Sequence, residues 1–456
     1  MSREWRKVNL EQTTEMVNEK VHVDQISINE FISTENLLSN LGGIAPSSGL
    51  PSSGKVTSFY KKDVLFSNIR TYFRKVWFAD FDGGCSNDVL VFRSDVMDSR
   101  FLYYVLADNT FIDFTSKTAK GTKMPRGDKN AIKSYSFNLP PLPEQKAIAH
   151  VLGKLDDKIE LNRQMNQTLE QMAQALFKSW FVDFDPVIDN AILSGNEIPE
   201  ALKTKAERRK ALLDKNDAVT SSDPATAGVY RDAEQSKNRH PKYNEGFPSS
   251  FTYSETLDKW IPEGWEVKKF GDVYTCLDNK RIPLSKPQRD EKKPGLYPYY
   301  GATSINDFVN EYIFDGTYLL LGEDGSVMKE DGTPFTQYVW GKMWVNNHAH
   351  VLQGANGVTT EHLLNFIKRE NVNAFVTGAV QLKINQGNMS RIPFLFSSDL
   401  INKEFGLKLD LLYTRLKLCI EETQSLTQLR DTLLPKLISG KVRLPKGFVK
   451  KFEGQV

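Results

Sequence analysis

Cysteine is scarce in this chain: Cys85, Cys276 and Cys419 are the three that occur, far apart and odd in number. That excludes a disulfide framework and fits a reducing cytoplasm. Long apolar runs are missing too, none approaching the roughly 18 residues of a membrane span. The opening MSREWRKVNLEQ lacks the apolar centre of a secretory leader. A soluble cytoplasmic protein with no membrane partner is therefore expected. Nor is there an excess of one charge: 59 Lys and Arg against 57 Asp and Glu leave a formal charge of +2. Overall basicity announces no polyanionic partner, so any nucleic-acid contact must come from local patches or be shared with another subunit.

Catalytic signatures are also absent. Gly49-Leu-Pro-Ser-Ser-Gly-Lys55 approaches a phosphate-binding loop. Val56, however, stands where a Mg²⁺-holding Ser or Thr belongs, and KVTSFY after it reads as a strand, not a phosphate-capping helix. His348 and His350 would share one face of a strand, yet no nearby Cys or His completes a ligand set, and no metal site is expected. Asp290-Glu-Lys-Lys293, with Pro287 and Pro294 beside it, reads as a solvated turn. Phe81-Asp-Gly-Gly84 and Asn138-Leu-Pro-Pro141 have the wrong spacing for the cofactor loop and base-flipping element of a methyltransferase. The chain reads as catalytically empty, not as an enzyme.

What is present is one pattern written twice. A length of 456 residues predicts two or three domains. Between Glu144 and Trp180, seam positions fall at Ile148, Leu152, Leu155, Ile159, Asn162, Asn166, Leu169, Ala173 and Leu176, mainly apolar at both ends and polar or small near the middle. Steps of four and three alternate throughout, which is the heptad seam of a coiled coil. A shift of 257, from Ile148 to Phe405, generates a second seam: Phe405, Leu409, Leu412, Leu416, Cys419, Thr423, Leu426, Arg430 and Leu433. Gly440 is a natural stop for this second helix, and Pro435 is expected to interrupt its last turn.

The segments ahead of the helices echo each other as well. Trp5-Arg-Lys-Val8 opens the first and Trp265-Glu-Val-Lys268 the second; Lys62–Phe66 resembles Asp315–Leu319; Gly121 and Gly378 again differ by 257. Runs such as VLFSNI, DVLVF, YLLLG and YVWGKMWV read as short strands. The fold class is α+β: two tandem globules of mixed structure, each followed by a long helix. The boundaries are a first globule over 1–142, a helix over 143–185, a connector over 186–259, a second globule over 260–400, a helix over 401–445 and a tail over 446–456. The connector carries a charged helical piece, ALKTKAERRKALL, and a polar run poor in core residues, so it is expected to be partly ordered at best.

Four segments carry a family resemblance. Leu139-Pro-Pro-Leu-Pro-Glu-Gln-Lys-Ala-Ile-Ala149, Phe177-Lys-Ser-Trp-Phe-Val-Asp-Phe-Asp-Pro186, Trp260-Ile-Pro-Glu-Gly-Trp-Glu-Val-Lys268 and Leu429-Arg-Asp-Thr-Leu-Leu-Pro-Lys-Leu-Ile-Ser-Gly-Lys441 resemble, in order, segments of type I restriction–modification specificity (S) subunits. The resemblance implies a non-catalytic subunit whose two target-recognition domains each read half of a bipartite, asymmetric site in double-stranded DNA. It implies paired helices that space the domains and dock two methyltransferase (M) subunits. S-adenosylmethionine, ATP and Mg²⁺ would belong to those M subunits and to restriction (R) subunits, with no cofactor in this chain.

Physical reasoning runs alongside. About 35 helical residues span roughly 50 Å, more than one turn of B-DNA at roughly 34 Å. Domains at opposite ends of such a rod require antiparallel helices, and Asn162 and Cys419 then meet at the middle, where a polar pair pins register. Lys117, Lys120, Lys123, Arg126 and Lys129 crowd a glycine-bearing loop suited to phosphate. Gly378–Arg391 is its counterpart, offering Gln381, Lys383, Asn385, Gln386, Asn388 and Arg391, residue types that read base edges. Asn68 and Arg70, and Asn346, Asn347 and His348, are further DNA-binding candidates that no spacing rule ranks. Charge or amide runs are also what a solvated loop presents. A duplicated coiled-coil adaptor that binds only protein, or DNA reading coupled to a fused methyltransferase–nuclease, are the alternatives, and neighbouring genes discriminate among them.

Overall fold

The computed structural model describes residues 4–222, 245–378 and 381–454. It forms two compact units: Met1–Gln164 with Cys419–Val456, and Met165–Leu418. Each long helix is thus shared, one part to each unit.

In unit one the strand Arg6–Asn9 pairs antiparallel with Ser136–Leu139, so the segment between them closes on its own start. Between them lies an antiparallel sheet in the order Glu15–Met16, Val89–Arg93, Val64–Ser67, Val76–Phe78. Val64, Leu65 and Phe66 are all fully buried. Strand pleating sends Val64 and Phe66 into one apolar cluster and Leu65 into another, so this strand is apolar throughout and does not alternate. Asp98 and Asp108 cap the covering helices Ser99–Ala107 and Asn109–Lys117 by accepting the N–H groups of Phe101 and Thr110. A second four-stranded sheet includes Lys55–Phe59, so the near-miss phosphate loop does lead into a strand.

Unit two repeats the scaffold. Glu266–Lys269 pairs with Pro393–Phe396, and Phe314–Gly322 lies between Ala349–Gly354 and Thr336–Val345 in a six-stranded sheet covered by the helix Thr360–Ile367. Phe66 faces Leu90 in unit one and Leu321 faces His350 in unit two. The second unit adds the strands Tyr297–Tyr300 and Ile305–Val309, the first of which joins Thr336–Val345 in parallel.

The central helix runs Leu142–Phe177 and continues as a π-helical turn over Lys178–Val182; the C-terminal helix runs Asp399–Ile438. Every residue of both expected seams is buried or half-buried. Pro435 does not interrupt the second helix as expected: Leu434, Leu437 and Ile438 are buried in the unit-one core, and their packing holds the last turn despite the missing N–H. Gly440, at φ +74°, ends the run.

Within unit one, Asn162 donates to the Cys419 carbonyl at 3.5 Å and to Glu422 at 2.8 Å, Lys158 pairs with Glu422 at 3.1 Å, and Arg430 with Asp156 at 2.9 Å. Partner numbers rise on one helix as they fall on the other, which is antiparallel register. Within unit two, Phe177 meets Phe405 with ring centroids 6.1 Å apart.

Of the connector, residues 223–244 lie outside the described residues, and both flanks are well built. Asp185–Ser194 and Lys203–Ser222 are helices, and Phe251–Ser254 pairs with Lys259–Pro262. Val187, Ile188, Ala191, Leu202 and Ala206 are buried, and Arg209 clamps Asp189. Apolar residues at helical spacing order the segment, although its average composition is polar. The tail also has structure, with a helical turn at Lys446–Val449.

Candidate nucleic-acid interface

Gly121 and Gly378 adopt φ of +94° and +96°, a left-handed conformation that a side chain strains, and each sits in a small hairpin. In unit one Lys120 and Arg126 exchange both backbone hydrogen bonds, at 2.8 and 2.9 Å. In unit two Thr377 and Lys383 do the same, at 2.8 and 2.7 Å. The match extends to what each hairpin rests on. Gly127 N–H donates to Asn68, Asn68 N–H to Asp88 and Arg70 N–H to Pro125, at 3.0, 2.8 and 2.9 Å. Ile384 N–H donates to Glu323, Glu323 N–H to His348 and Gly325 N–H to Leu382, each at 2.9 Å. A side-chain cap follows in both: Asp128 accepts from Asn130 and Ala131 ahead of Lys129–Ser134, and Asn385 accepts from Asn388 ahead of Gln386–Ser390.

The structure therefore brings together candidates that the sequence left scattered. Asn68 and Arg70 lie under the hairpin of Lys120 and Arg126. Asn346, Asn347 and His348 lie beside that of Lys383. Lys117, Lys120, Lys123, Arg126, Lys129 and Arg70 are exposed, as are Asn347, His348, Gln381, Lys383, Asn385, Gln386 and Arg391.

Other candidates turn inward. Asn68 is buried, and a Cβ on Gly127 would lie 2.7 Å from its side-chain oxygen, so it supports the loop from beneath. Asn346 is buried and its side chain accepts the His348 N–H at 2.8 Å. Half-buried Asn388 donates to the Phe375 carbonyl at 3.0 Å and accepts from Arg391. These three amides shape the loops and are corrected from reaching side chains to supports. Ala379 and Val380, within the second loop, lie outside the described residues.

Acidic residues that the sequence reading passed over tune the exposed cations. Lys120 pairs with Asp128 at 2.5 Å and Arg126 with Asp88 at 3.1 Å. The hydrogen bond between them holds the Asp128 carboxyl below its ordinary range and raises the Lys120 ammonium. In unit two Lys383 pairs with Glu323 at 3.2 Å and His348 with Asp324. Asp128 was legible as a helix cap; Asp88, Glu323 and Asp324 flank the ends of strands distant in sequence and leave no local signal.

Strand pairing also carries Cys276 and Asp278 to His350, with ligand-type atoms all within 4.8 Å of one another. The sequence reading did not foresee this group. His348, by contrast, precedes the strand and is exposed, so the two histidines do not share a site. Arg281 already pairs with Asp278 at 3.2 Å, and His350 Nδ1 lies 2.5 Å from an Asp278 oxygen. Two donors around a tetrahedral zinc stand roughly 3.4 Å apart for bonds of about 2.1 Å. This spacing fits a shared proton.

Among the described residues no helix is long and apolar enough to cross a membrane. The chain matches the family model "Type I restriction modification DNA specificity domain" twice, over residues 9–171 and 262–424. The specificity subunit of the type I restriction enzyme HindI from Haemophilus influenzae is 25% identical over 96% of this chain and 100% of its own length. That of MjaIX from Methanocaldococcus jannaschii is 23% identical over 78% of this chain and 71% of its own. The crystal structure of a type I S subunit from M. genitalium shares the fold, with a TM-score of 0.51 and 17% identity over 95% of this chain and 96% of that one.

Proposed function

Because the chain belongs to the type I restriction–modification DNA specificity family, we propose that each unit reads one half of a bipartite DNA site through its hairpin. One observation carries this reading: the same backbone hydrogen-bond scheme occurs twice with different side chains mounted on it. Lys120 and Arg126 of unit one stand where unit two has Thr377 and Lys383, so the two half-sites differ and the whole site is asymmetric. Lys117, Lys123 and Lys129 supply phosphate contacts, while Gln381, Gln386 and Arg391 offer base-edge chemistry. An adaptor that binds only protein would have no use for this arrangement.

The chain acts without catalysis of its own, in the cytoplasm, with the chemistry in its partners. Two M subunits, using S-adenosylmethionine, would methylate adenine in the bound site; R subunits, using ATP and Mg²⁺, would cleave. The long helices act as an antiparallel coiled coil that sets the unread gap and docks the M subunits. Each helix keeps an apolar row in solvent: Leu161, Met165 and Met172 on one, Leu407, Leu411 and Leu418 on the other, in the same steps of four and seven. Exposed apolar rows of this kind mark protein interfaces.

Electrophoretic binding across a salt series, with M subunits present, tests the assignment; absence of any sequence preference would sink it. In that assay, replacing Lys120, Lys123 and Arg126 together with alanine is expected to weaken all sequences about equally and to flatten the salt slope. Three unpaired cations would remove about 2.7 from the slope. A smaller change is expected, because Asp128 and Asp88 already neutralise two of them.

Deleting one heptad from each helix shortens the rod by about 10 Å, or about three base pairs. Methylation profiling of host DNA should then return the same half-sites with a narrower gap. Altered half-sites would refute the ruler.

A further inference from the structure

We propose that Tyr72, backed by Phe73, is an aromatic wedge that enters the base stack at the unit-one half-site, with no counterpart in unit two. This inference rests on the DNA-reading assignment above and deepens it.

The wedge stands on the turn that joins the strands Val64–Ser67 and Val76–Phe78. Tyr72 is 54% exposed and Phe73 38%, with ring centroids 4.7 Å apart and planes tilted by 52°. Two neighbouring rings left in water forgo the burial that usually holds aromatic side chains inside. The backbone beneath them is tied down. Arg70 and Arg74 bracket it at φ +49° and +52°, a left-handed conformation that strains a side chain and persists where the surroundings over-determine it. Phe73 N–H donates to the Arg70 carbonyl and Arg74 N–H to that of Thr71, both at 2.9 Å. From outside the turn, Asn40 N–H donates to the Phe73 carbonyl at 2.9 Å and Leu41 N–H to that of Arg74 at 3.2 Å.

The side chains divide into anchors and display. Thr71 is buried, and its hydroxyl shares a hydrogen bond with that of Ser116 at 3.0 Å. Arg74 is buried as well, bonded to the Ala107 carbonyl at 2.7 Å and to Asp431 at 3.0 Å. Arg70, Tyr72 and Phe73 are exposed. A turn anchored in this way presents its rings already ordered, so little conformational freedom is lost when they are covered.

Charge and position point to duplex DNA as the occupant. Arg70 N–H donates to the Pro125 carbonyl at 2.9 Å and Ile69 pairs with Arg126, so the turn lies against the cationic hairpin. Among the described residues Arg70 has no acidic partner, whereas Lys120 is held by Asp128 and Arg126 by Asp88. Its guanidinium is left for a phosphate beside the opened step. Met124, 52% exposed, precedes Pro125 and adds apolar surface to the hairpin. Apolar side chains set among cations unstack a base step and kink the duplex, at a cost that depends on that step. In unit two the equivalent turn joins Phe314–Gly322 to Thr336–Val345. Its exposed residues are Gly325, Ser326, Lys329, Glu330 and Asp331, none of them aromatic.

The test uses the complex with M subunits and duplexes carrying one mismatch, moved base pair by base pair through the site and its flanks. A mismatch lowers the cost of opening its step, so a wedge binds it more tightly. Wild type is expected to gain about tenfold at a step beside one half-site, and Tyr72→Ala to lose that gain. Tyr72→Phe, which keeps the ring, should retain it. Changes that come from lost base contacts, or from base extrusion by the M subunits, persist in Tyr72→Ala and cancel in the comparison. Identical mismatch profiles in wild type and Tyr72→Ala, a difference at both half-sites, or loss of the gain in Tyr72→Phe would overturn the wedge while leaving the DNA-reading assignment intact. Failure of Tyr72→Ala to co-purify with M subunits would also overturn it, by making the pair a protein-docking surface. A wild-type complex with no preference among intact duplexes would overturn both readings.

Discussion

Arg430→Ala is expected to destabilise unit one by about 3–5 kcal/mol, because it empties a buried position of its charge and leaves the half-buried Asp156 carboxylate without its cation. Arg430 is 2% exposed, and it pairs with Asp156 at 2.9 Å and with Asp431 at 3.2 Å. Asp431 also holds buried Arg74 at 3.0 Å, and Arg74 Nε donates to the Ala107 carbonyl at 2.7 Å. Tyr104 donates to the far oxygen of Asp156 at 2.6 Å. Burial and the Asp156 charge push this phenol far above its ordinary range, so it remains a donor. The network ties the end of the C-terminal helix to the start of the central helix and to the helix Ser99–Ala107.

A lone alanine breaks the network and leaves Asp156 with the Tyr104 hydroxyl but without its guanidinium. The double change Arg430→Met with Asp156→Asn removes both charges, keeps an acceptor for Tyr104 and should recover most of the loss. Thermal unfolding of the single variant is expected about 10 °C below wild type. A shift of only a degree or two would mean that the network contributes little and that packing alone joins helix to globule.

Arg430 also shows where sequence reasoning stops. Its seam position follows from heptad steps, because a coiled-coil face repeats along one element and can be counted. Its partner Asp156 lies 274 residues away and belongs to no pattern that counting can reach. The same boundary runs through the recognition loops. Gly121 and Gly378 were legible because the left-handed conformation demands glycine and one shift relates the two copies. The residues beneath them were not, because that shift changes from strand to strand: Asn68 answers to Glu323, 255 residues on, whereas Asp88 answers to His348, 260 on.

The partner of His350 was hidden for a related reason: Asp278 reaches it across the pairing of Tyr274–Cys276 with Ala349–Gly354, from 72 residues away in sequence. The order in the flanks of the connector was hidden differently. Averaging over 186–259 diluted a regular apolar face, Val187, Ile188 and Ala191, into a polar composition. Burial depends on positions and not on averages.

The second large effect concerns acid. His362 is fully buried, ringed by Phe177, Phe181, Phe394 and Phe405 at centroid distances of 5.9, 4.7, 5.5 and 4.7 Å. Neither ring nitrogen has a hydrogen-bond partner among the described residues. Burial alone lowers the pKa from 6.5 to about 3, so the folded protein keeps this ring neutral. The unfolded chain takes up a proton first as pH falls. The stabilising difference is therefore complete above pH 6.5 and is lost progressively down to about pH 3. At about 1.36 kcal/mol per pKa unit, the loss reaches about 2 kcal/mol by pH 5 and roughly 4–5 kcal/mol by pH 3. His362→Leu is close in volume and removes both the titration and the unpaired nitrogens. It should match or exceed wild type at pH 7 and widen its advantage steadily on acidification. Many carboxylates also contribute to acid unfolding, so the difference between the two proteins, measured by denaturant titration from pH 7 to 4, is the quantity to follow. A constant difference across that range would mean that the ring is protonated, or reaches water, in the folded state. The cage lies where the end of the central helix meets the start of the C-terminal helix within unit two, so acid should loosen that junction first.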